Sequence, residues 1–274
     1  DYEAILVRFN TNVSKQVMRK GSRLKYILSP TTGLDHIEMD YAKSKGIKTY
    51  HLRGEKLFLK SVCATSEHTM CLMTALMRKL PPAFDSVKNG EWGSEEFQGN
   101  ELFGKVLGIV GCGRLGSKVA RIALAFGMKV VAYDPGVKRL PSKVEREQRL
   151  GSLLKKVDVL SIHVPLTKET KHMIDNKKLG LMKKGSFLVN TSRGDIICSA
   201  ALLKHLKNGH LGGAALDVIE GERKGSIQGH PLVGFSKNNS NLLITPHIGG
   251  ASIESIERTD LHILKKFFRK QNII

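Results

Sequence analysis

No apolar run in this 274-residue sequence approaches the ~18 residues a membrane-crossing helix needs, so no transmembrane helix is expected. Cysteine is sparse. Cys63, Cys71, Cys112 and Cys198 stand far apart with no C-x-x-C pair, which argues against a disulfide framework and against a zinc site; reduced thiols in a cytoplasmic protein, with no metal, are the expectation. The chain opens on Asp1-Tyr2-Glu3 and runs at once into Ala4-Ile5-Leu6-Val7, without an initiator Met, a basic leader or a small-residue cleavage site. A native start upstream of Asp1 is therefore expected. Acidic residues are few, 25 against 44 Lys and Arg, and the net charge is +19. The basic residues fall in scattered twos and threes (Lys43/Lys45, Lys155-Lys156, Lys183-Lys184, Lys265-Lys266) with no aromatic-interleaved stripe. That distribution argues for a solvated basic surface and against a nucleic-acid partner. Internal repeats and low-complexity tracts are also missing.

What is present is an alternation. From Gly104 onward, short Val/Ile/Leu/Ala-rich runs (Val106 to Val110, Met128 to Tyr133, Val157 to Val164, Ser186 to Asn190, Gly212 to Leu216, Leu242 to Thr245) alternate with helix-period segments. Strands apolar on both faces belong to a parallel sheet covered on both sides, so six strands of a doubly wound α/β domain are predicted. Between the first two, Leu115, Val119, Ile122, Ala123 and Phe126 share a helical face, and Gly127 follows where a left-handed helix end favours glycine. Before Gly104 a smaller α/β unit is predicted, with strands at Ala4 to Phe9, Lys25 to Leu28 and Ile47 to Thr49. A long helix is predicted from Thr65 to Leu80, stopped by Pro81-Pro82, and another from Ser252 to Phe268.

Gly111-Cys112-Gly113-Arg114-Leu115-Gly116 is a G-x-G-x-x-G between a predicted strand and a predicted helix. The first glycine permits the turn, the second lets a pyrophosphate reach the backbone, the third lets helix and strand pack, and the helix N-terminus attracts the negative charge. Asp134 ends the next strand, 18 residues after Gly116, where a carboxylate can accept from an adenosine ribose. It would repel a 2′-phosphate, and Pro135-Gly136 rather than a cation follows it, so NAD is the expected cofactor. Asp-Pro-Gly is also turn chemistry, which leaves Asp134 a bland alternative as a turn opener.

Three further polar groups follow later strands, where ligands bind in open α/β sheets. They are Arg193 in Asn190-Thr191-Ser192-Arg193-Gly194, the acids Asp217 and Glu222 in Leu216-Asp217-Val218-Ile219-Glu220-Gly221-Glu222, and His247 in Thr245-Pro246-His247-Ile248-Gly249-Gly250. Together they offer a carboxylate clamp, a tuning anion and a proton carrier. Arg193 can hold a carboxylate through two parallel bonds, and an anion beside an imidazole favours its protonated form. His163, His68 and His172 compete for the proton-carrier role but are assigned to strand-interior or helix positions and read as structural.

With these motifs in order, the sequence resembles the D-isomer-specific 2-hydroxyacid dehydrogenase family, the group that includes phosphoglycerate dehydrogenases. Thr32-Gly33-Leu34-Asp35-His36-Ile37, Glu67-His68-Thr69, Gly90-Glu91-Trp92, Glu101-Leu102-Phe103-Gly104-Lys105 and His163-Val164-Pro165-Leu166-Thr167 carry the resemblance further. It implies a Rossmann NAD domain, residues 71–249, inserted into a smaller flavodoxin-like substrate domain, residues 1–70 and 250–274, that is incomplete at its N-terminus. It implies a homodimer and an NAD-dependent oxidoreductase acting on a D-2-hydroxy acid or 2-oxo acid, with Arg193, Glu222 and His247 catalytic. Cofactor contacts are implied for Gly111, Gly113, Arg114, Leu115, Gly116, Asp134, Pro165, Thr170, Thr191, Ser192, Asp217, Gly249 and Gly250. Substrate contacts are implied for Arg8, Thr32, Gly33, Arg193 and His247. Arg8 matches an arginine that phosphoglycerate-type members use on the substrate phosphate, which tilts the expectation toward a phosphorylated substrate, 3-phosphoglycerate. Ser29 and Cys63 stand where that subgroup carries more arginines. The family's Pro after the catalytic Glu is replaced by Arg223, leaving Lys224 to Gly229 as a looser loop. An NAD(H)-sensing corepressor or scaffold of the same fold is the rival reading.

Overall fold

The computed structural model describes residues 2–223 and 227–272, so Lys224 to Ser226 of the loop after Glu222 lie outside the described residues. The chain divides into two compact units, Asp1–Val62 with Gly250–Ile274, and Cys63–Gly249. The smaller unit begins with strand β1 (Ala4–Leu6), helix α1 (Lys15–Lys20), β2 (Tyr26–Ser29), α2 (Met39–Ser44) and β3 (Lys48–His51). Its three strands are parallel, in the order β1-β2-β3. One face packs Val13, Met18, Ile27, Leu34 and Ile37, all buried.

The larger unit runs α3 (Ala64–Met77), α4 (Leu80–Lys88), β4 (Val106–Val110), α5 (Arg114–Ala125), β5 (Lys129–Tyr133), β6 (Val144–Arg146), α6 (Leu150–Lys156), β7 (Val159–Ile162), α7 (Asn176–Leu179), β8 (Ser186–Asn190), α8 (Ser199–Lys207), β9 (Leu211–Leu216), α9 (Pro231–Ser236) and β10 (Leu242–Ile244). These form one parallel sheet in the order β10-β9-β8-β7-β4-β5-β6. The period-2 alternation of side chains puts Leu107 and Ile109 of β4 with the core under α3 and α5, and Val110 with the core under α6 to α9. Both faces are covered, as the continuous apolar strands require. Gly108 lets α6 approach closely, since a Cβ there would lie 2.5 Å from Val157 Cγ1. After α9 and β10 the chain returns to the first unit as α10 (Ile253–Lys270), whose Phe267 ring packs edge-on against Tyr26 and Tyr50.

Two elements differ from the sequence reading. The helix predicted from Thr65 to Leu80 stops at Met77, and Pro81-Pro82 open α4 instead of ending α3, with Lys79 in the left-handed region at φ 52° between them. Proline fits a helix's first turn because the N–H it lacks would have no partner there. The sheet also has a seventh strand. β6 is three residues long and lies at the sheet's edge, where Val144-Glu145-Arg146 presents no apolar run to read.

Candidate active site

The order of the large sheet reverses at β4, which has β5 on one side and β7 on the other, and the glycine fingerprint follows β4 at this switch point. Gly111 has φ +90°, and a Cβ on it would sit 2.7 Å from Val164 Cγ1 and 2.9 Å from the His163 backbone of the neighbouring strand end. Gly116 is tighter still, its missing Cβ falling 2.1 Å from the Gly111 carbonyl oxygen. Gly113, exposed and capping α5, would meet nothing within 4 Å. Two glycines are thus demanded by packing and one faces open space. Cys112 between them is buried, and desolvation pushes its thiol up to about 11, an inert filler. Burial likewise holds the Arg114 pKa below its ordinary value.

Asp134 follows β5. Its Oδ1 accepts from the N–H groups of Gly136 (2.8 Å) and Val137 (3.1 Å), so the turn-opening role is occupied by one oxygen. Arg146 of β6 braces the same turn, donating to the carbonyls of Asp134, Val137 and Lys138. After β7, the Thr170 hydroxyl donates to the Pro165 carbonyl at 2.7 Å and accepts from Thr167 N–H, closing the 165–170 loop on itself.

Past β8, Asn190 shapes the arginine loop: its Oδ1 accepts from Ser192 N–H and Oγ–H, and its Nδ2 donates to the Arg193 carbonyl. Thr191 and Thr69 pair their hydroxyls at 2.8 Å in the core. Past β9, Asp217 is 1% exposed. Burial pushes its carboxyl pKa up, but bonds from His68, Thr245 Oγ1 (2.6 Å) and the N–H groups of Ile248 (2.9 Å) and Gly249 (2.7 Å) outweigh it and hold the value below 3.8. Gly249 must be glycine here, since a Cβ would lie 2.8 Å from Asp217 Oδ2. Past β10, His247 adopts φ 56°, unusual for a non-glycine residue, its N–H held by the carbonyls of Asp217 and Thr245, both at 2.9 Å. Its Nδ1 meets Glu222 Oε1 at 2.7 Å, and Glu222 Oε2 accepts from Ile219 N–H at 3.2 Å. The Glu222–His247 pair anticipated from sequence is therefore formed.

Residues 70–249 match the family model described as D-isomer specific 2-hydroxyacid dehydrogenase, NAD binding domain. The chain belongs to that family. Hydroxypyruvate reductase of Thermotoga maritima is 36% identical over 273 residues, covering 100% of this chain and 86% of that protein. D-3-phosphoglycerate dehydrogenase of Bacillus subtilis is 38% identical over 263 residues, 93% of this chain but 46% of its own length, so the chain spans about half of that relative. The crystal structure of D-lactate dehydrogenase from Aquifex aeolicus with NAD and lactic acid matches at a TM-score of 0.84 and 35% identity, covering 99% of this chain and 84% of that one. The enzyme is an NAD-dependent oxidoreductase of this family.

The open side of Gly113 at the N-terminus of α5 is the cradle a pyrophosphate needs, and the described residues around it fit the cofactor. Among the other histidines, His163 lies one residue past β7 rather than inside a strand, is fixed by Ser161 Oγ at 2.8 Å, and has its pKa pushed down to about 4 by burial, which keeps the ring neutral. His172 corrects the sequence reading: it lies in a loop, not in a helix or strand, at φ 50° and paired with Glu220. His68 does sit in α3, but its Nε2 reaches Thr245 Oγ1 (3.1 Å) and Asp217 Oδ1 (3.3 Å), a role the sequence hid because the partners lie far along the chain. In the smaller unit, Arg8 follows β1 and is ion-paired with Asp260 at 2.6 Å, while Thr32 and Gly33 follow β2, where Arg53 donates to the Thr32 carbonyl. Among the described residues no helix is long and apolar enough to cross a membrane.

Proposed function

We propose that the enzyme reduces a small 2-oxo acid to the D-2-hydroxy acid, and runs the reverse reaction, with Arg193, Glu222 and His247 as its catalytic set. The observation that carries this reading is the 2.7 Å bond from His247 Nδ1 to Glu222 beyond the carboxyl ends of β9 and β10. Bound NADH supplies the hydride. Arg193 grips the substrate carboxylate with its planar fork and polarises the neighbouring carbonyl. Protonated His247 donates from Nε2 to the oxygen as negative charge develops there, and in oxidation the neutral ring takes the hydroxyl proton. Glu222 fixes the ring's orientation and offsets its positive charge. Gly113, with Gly111, Arg114, Leu115 and Gly116, holds the pyrophosphate; Asp134 receives the adenosine ribose on Oδ2; Pro165, Thr170, Thr191, Ser192, Asp217, Gly249 and Gly250 complete the cofactor site.

Arg8, Thr32 and Gly33 are carried as substrate residues on the family resemblance. Because Arg8 is already paired with Asp260, we favour a substrate without phosphate, against the tilt of the sequence reading. The larger unit is the NAD domain and the smaller one the substrate domain. A homodimer is also proposed, supported by the exposed apolar residues Phe84 and Val87 of α4 and Trp92 beyond it. The test is oxidation of NADH against hydroxypyruvate, glyoxylate, pyruvate and phosphohydroxypyruvate. Turnover of at least one is expected, with His247→Ala slower by about 100- to 10,000-fold. Tight NADH binding without turnover of any 2-oxo acid would instead mark a cofactor-sensing protein.

A further inference from the structure

The loop that carries Glu222 is held by a second carboxylate two residues earlier. Glu220 Oε1 accepts from His172 Nε2 at 2.6 Å, Oε2 accepts from Ser199 N–H at the start of α8 at 2.9 Å, and the Glu220 carbonyl accepts from His230 Nε2 at 3.1 Å. The next peptide is tied as well, Gly221 N–H donating to Asp195 Oδ2 at 3.4 Å, while Asp195 offers its own carbonyl to His172 N–H at 2.8 Å. These bonds join the segments that leave β7, β8 and β9, and the last two carry Arg193 and Glu222. Packing seals the same junction: a Cβ on Gly194, the residue after Arg193, would fall 2.0 Å from the Ile219 carbonyl carbon and 2.4 Å from Glu220 N.

We propose that Glu220 is a positioning residue for the dehydrogenase reaction, locking the Arg193 loop and the Glu222 loop into one body so that Glu222 stays seated on His247. Glu220 touches neither reacting group. Its charge state suits this role. Burial pushes its pKa up, yet the bonds from Ser199 and His172 outweigh that and hold it below its ordinary value, so the carboxylate is ionised at neutral pH. Among the described residues, the titratable groups bonded to it are His172 and His230, with Asp195 one bond further off, and Lys204 and Lys207 of α8 line the same pocket. A bland alternative is that Glu220 only caps α8, in which case its loss would lower stability and leave the chemistry of Glu222 and His247 untouched.

This inference rests on the proposed roles of Arg193, Glu222 and His247, so its test includes a measurement that needs no turnover. The imidazole of His247 is titrated by NMR in wild type, Glu220→Ala and Glu220→Gln, beside kcat and KM for a 2-oxo acid over pH. In Glu220→Ala the loosened Glu222 should move the His247 titration and the pH limit of reduction toward acid and lower kcat by about 10- to 100-fold, as small misplacements of catalytic groups do, with NADH affinity nearly unchanged. Glu220→Gln keeps an acceptor for Ser199 N–H and should restore most of both. If Glu220→Ala does not fold, His172→Leu removes one arm of the clamp and should shift both measurements in the same direction. A folded Glu220→Ala or His172→Leu enzyme with the wild-type His247 titration and kcat overturns the proposal, whatever its thermal stability. Wild-type protein that reduces no 2-oxo acid would defeat the proposed function, while the NMR titration still decides whether Glu220 seats the pair.

Discussion

Replacing Gly113 and Gly116 separately by alanine should break two different properties of one loop. At Gly113 the added methyl meets nothing within 4 Å, and the backbone at φ −73°, ψ −147° lies just past the extended region that alanine favours, so the cofactor-free protein should keep its stability to within about 1 to 2 kcal/mol. The same methyl occupies the space through which a pyrophosphate reaches the backbone. Losing two charge-assisted bonds to backbone N–H groups, at about 1.5 to 3 kcal/mol each, removes about 3 to 6 kcal/mol of binding. At 1.4 kcal/mol per tenfold, NADH affinity should fall about 100- to 10,000-fold. At Gly116 the methyl would sit 2.1 Å from the Gly111 carbonyl oxygen and 3.1 Å from Ile109 Cγ2, so α5 must move off β4 before anything binds. Forced overpacking of that kind costs about 3 kcal/mol. In a unit of this size that lowers Tm by about 6 to 12 °C. Thermal unfolding without cofactor and NADH fluorescence titration separate the two effects. A Gly113→Ala protein that binds NADH within threefold of wild type, or a Gly116→Ala protein with unchanged Tm, would refute the reasoning.

Arg193→Lys should lose most turnover, because a point ammonium cannot reproduce the planar fork; near-native kcat and KM would remove Arg193 from the clamp role. With a carboxylate at Asp134 rather than a cation, NADH should bind far more tightly than NADPH, and equal affinities in a titration would contradict that assignment. The Asp217 carboxyl has a folded pKa below 3.8, so its stabilising contribution is fully present above about pH 4 and is lost as pH falls through the folded value. Asp217→Asn should therefore be destabilised by about 3 kcal/mol at pH 7, with the gap to wild type narrowing in acid; denaturant midpoints read as a function of pH that showed the gap widening would count against this.

The parts of the site legible in the sequence were those whose requirement is local. Gly111, Gly113 and Gly116 announce themselves because a tight turn, an open approach and a close packing each exclude a side chain at a fixed spacing, and the structure returns φ +90°, open space and a 2.1 Å clash at those positions. Their places after successive strands of a parallel sheet brought Arg193, Glu222 and His247 into one set, and the family resemblance implied that the set is catalytic. Properties that depend on distant partners stayed hidden. His68 looks like any polar residue of an apolar helix until the fold brings it to Asp217, and His172 reads as a helix or strand residue until its backbone is seen at φ 50° beside Glu220. The edge strand Val144–Arg146 was missed because the edge of a sheet needs no apolar run. Pro81-Pro82 marked a helix boundary correctly and its direction wrongly, since a proline pair suits the residues before it only as a stop but suits those after it as a first turn.

The geometry of His247 also follows from Asp217, which holds its backbone. A non-glycine residue at φ 56° carries strain that only surrounding bonds can maintain. Here the Asp217 carbonyl takes the His247 N–H, while the Asp217 carboxylate takes the N–H groups of the next two residues and the Thr245 hydroxyl. A single acidic side chain, held ionised in a buried position by those same donors, thus folds the Thr245 to Gly249 turn around itself. Glutamate would be one methylene too long for that cradle, and asparagine would put a donor against one of the backbone N–H groups. The identity of Asp217 is therefore dictated by the turn it builds, and the turn is what presents Nδ1 to Glu222 at 2.7 Å.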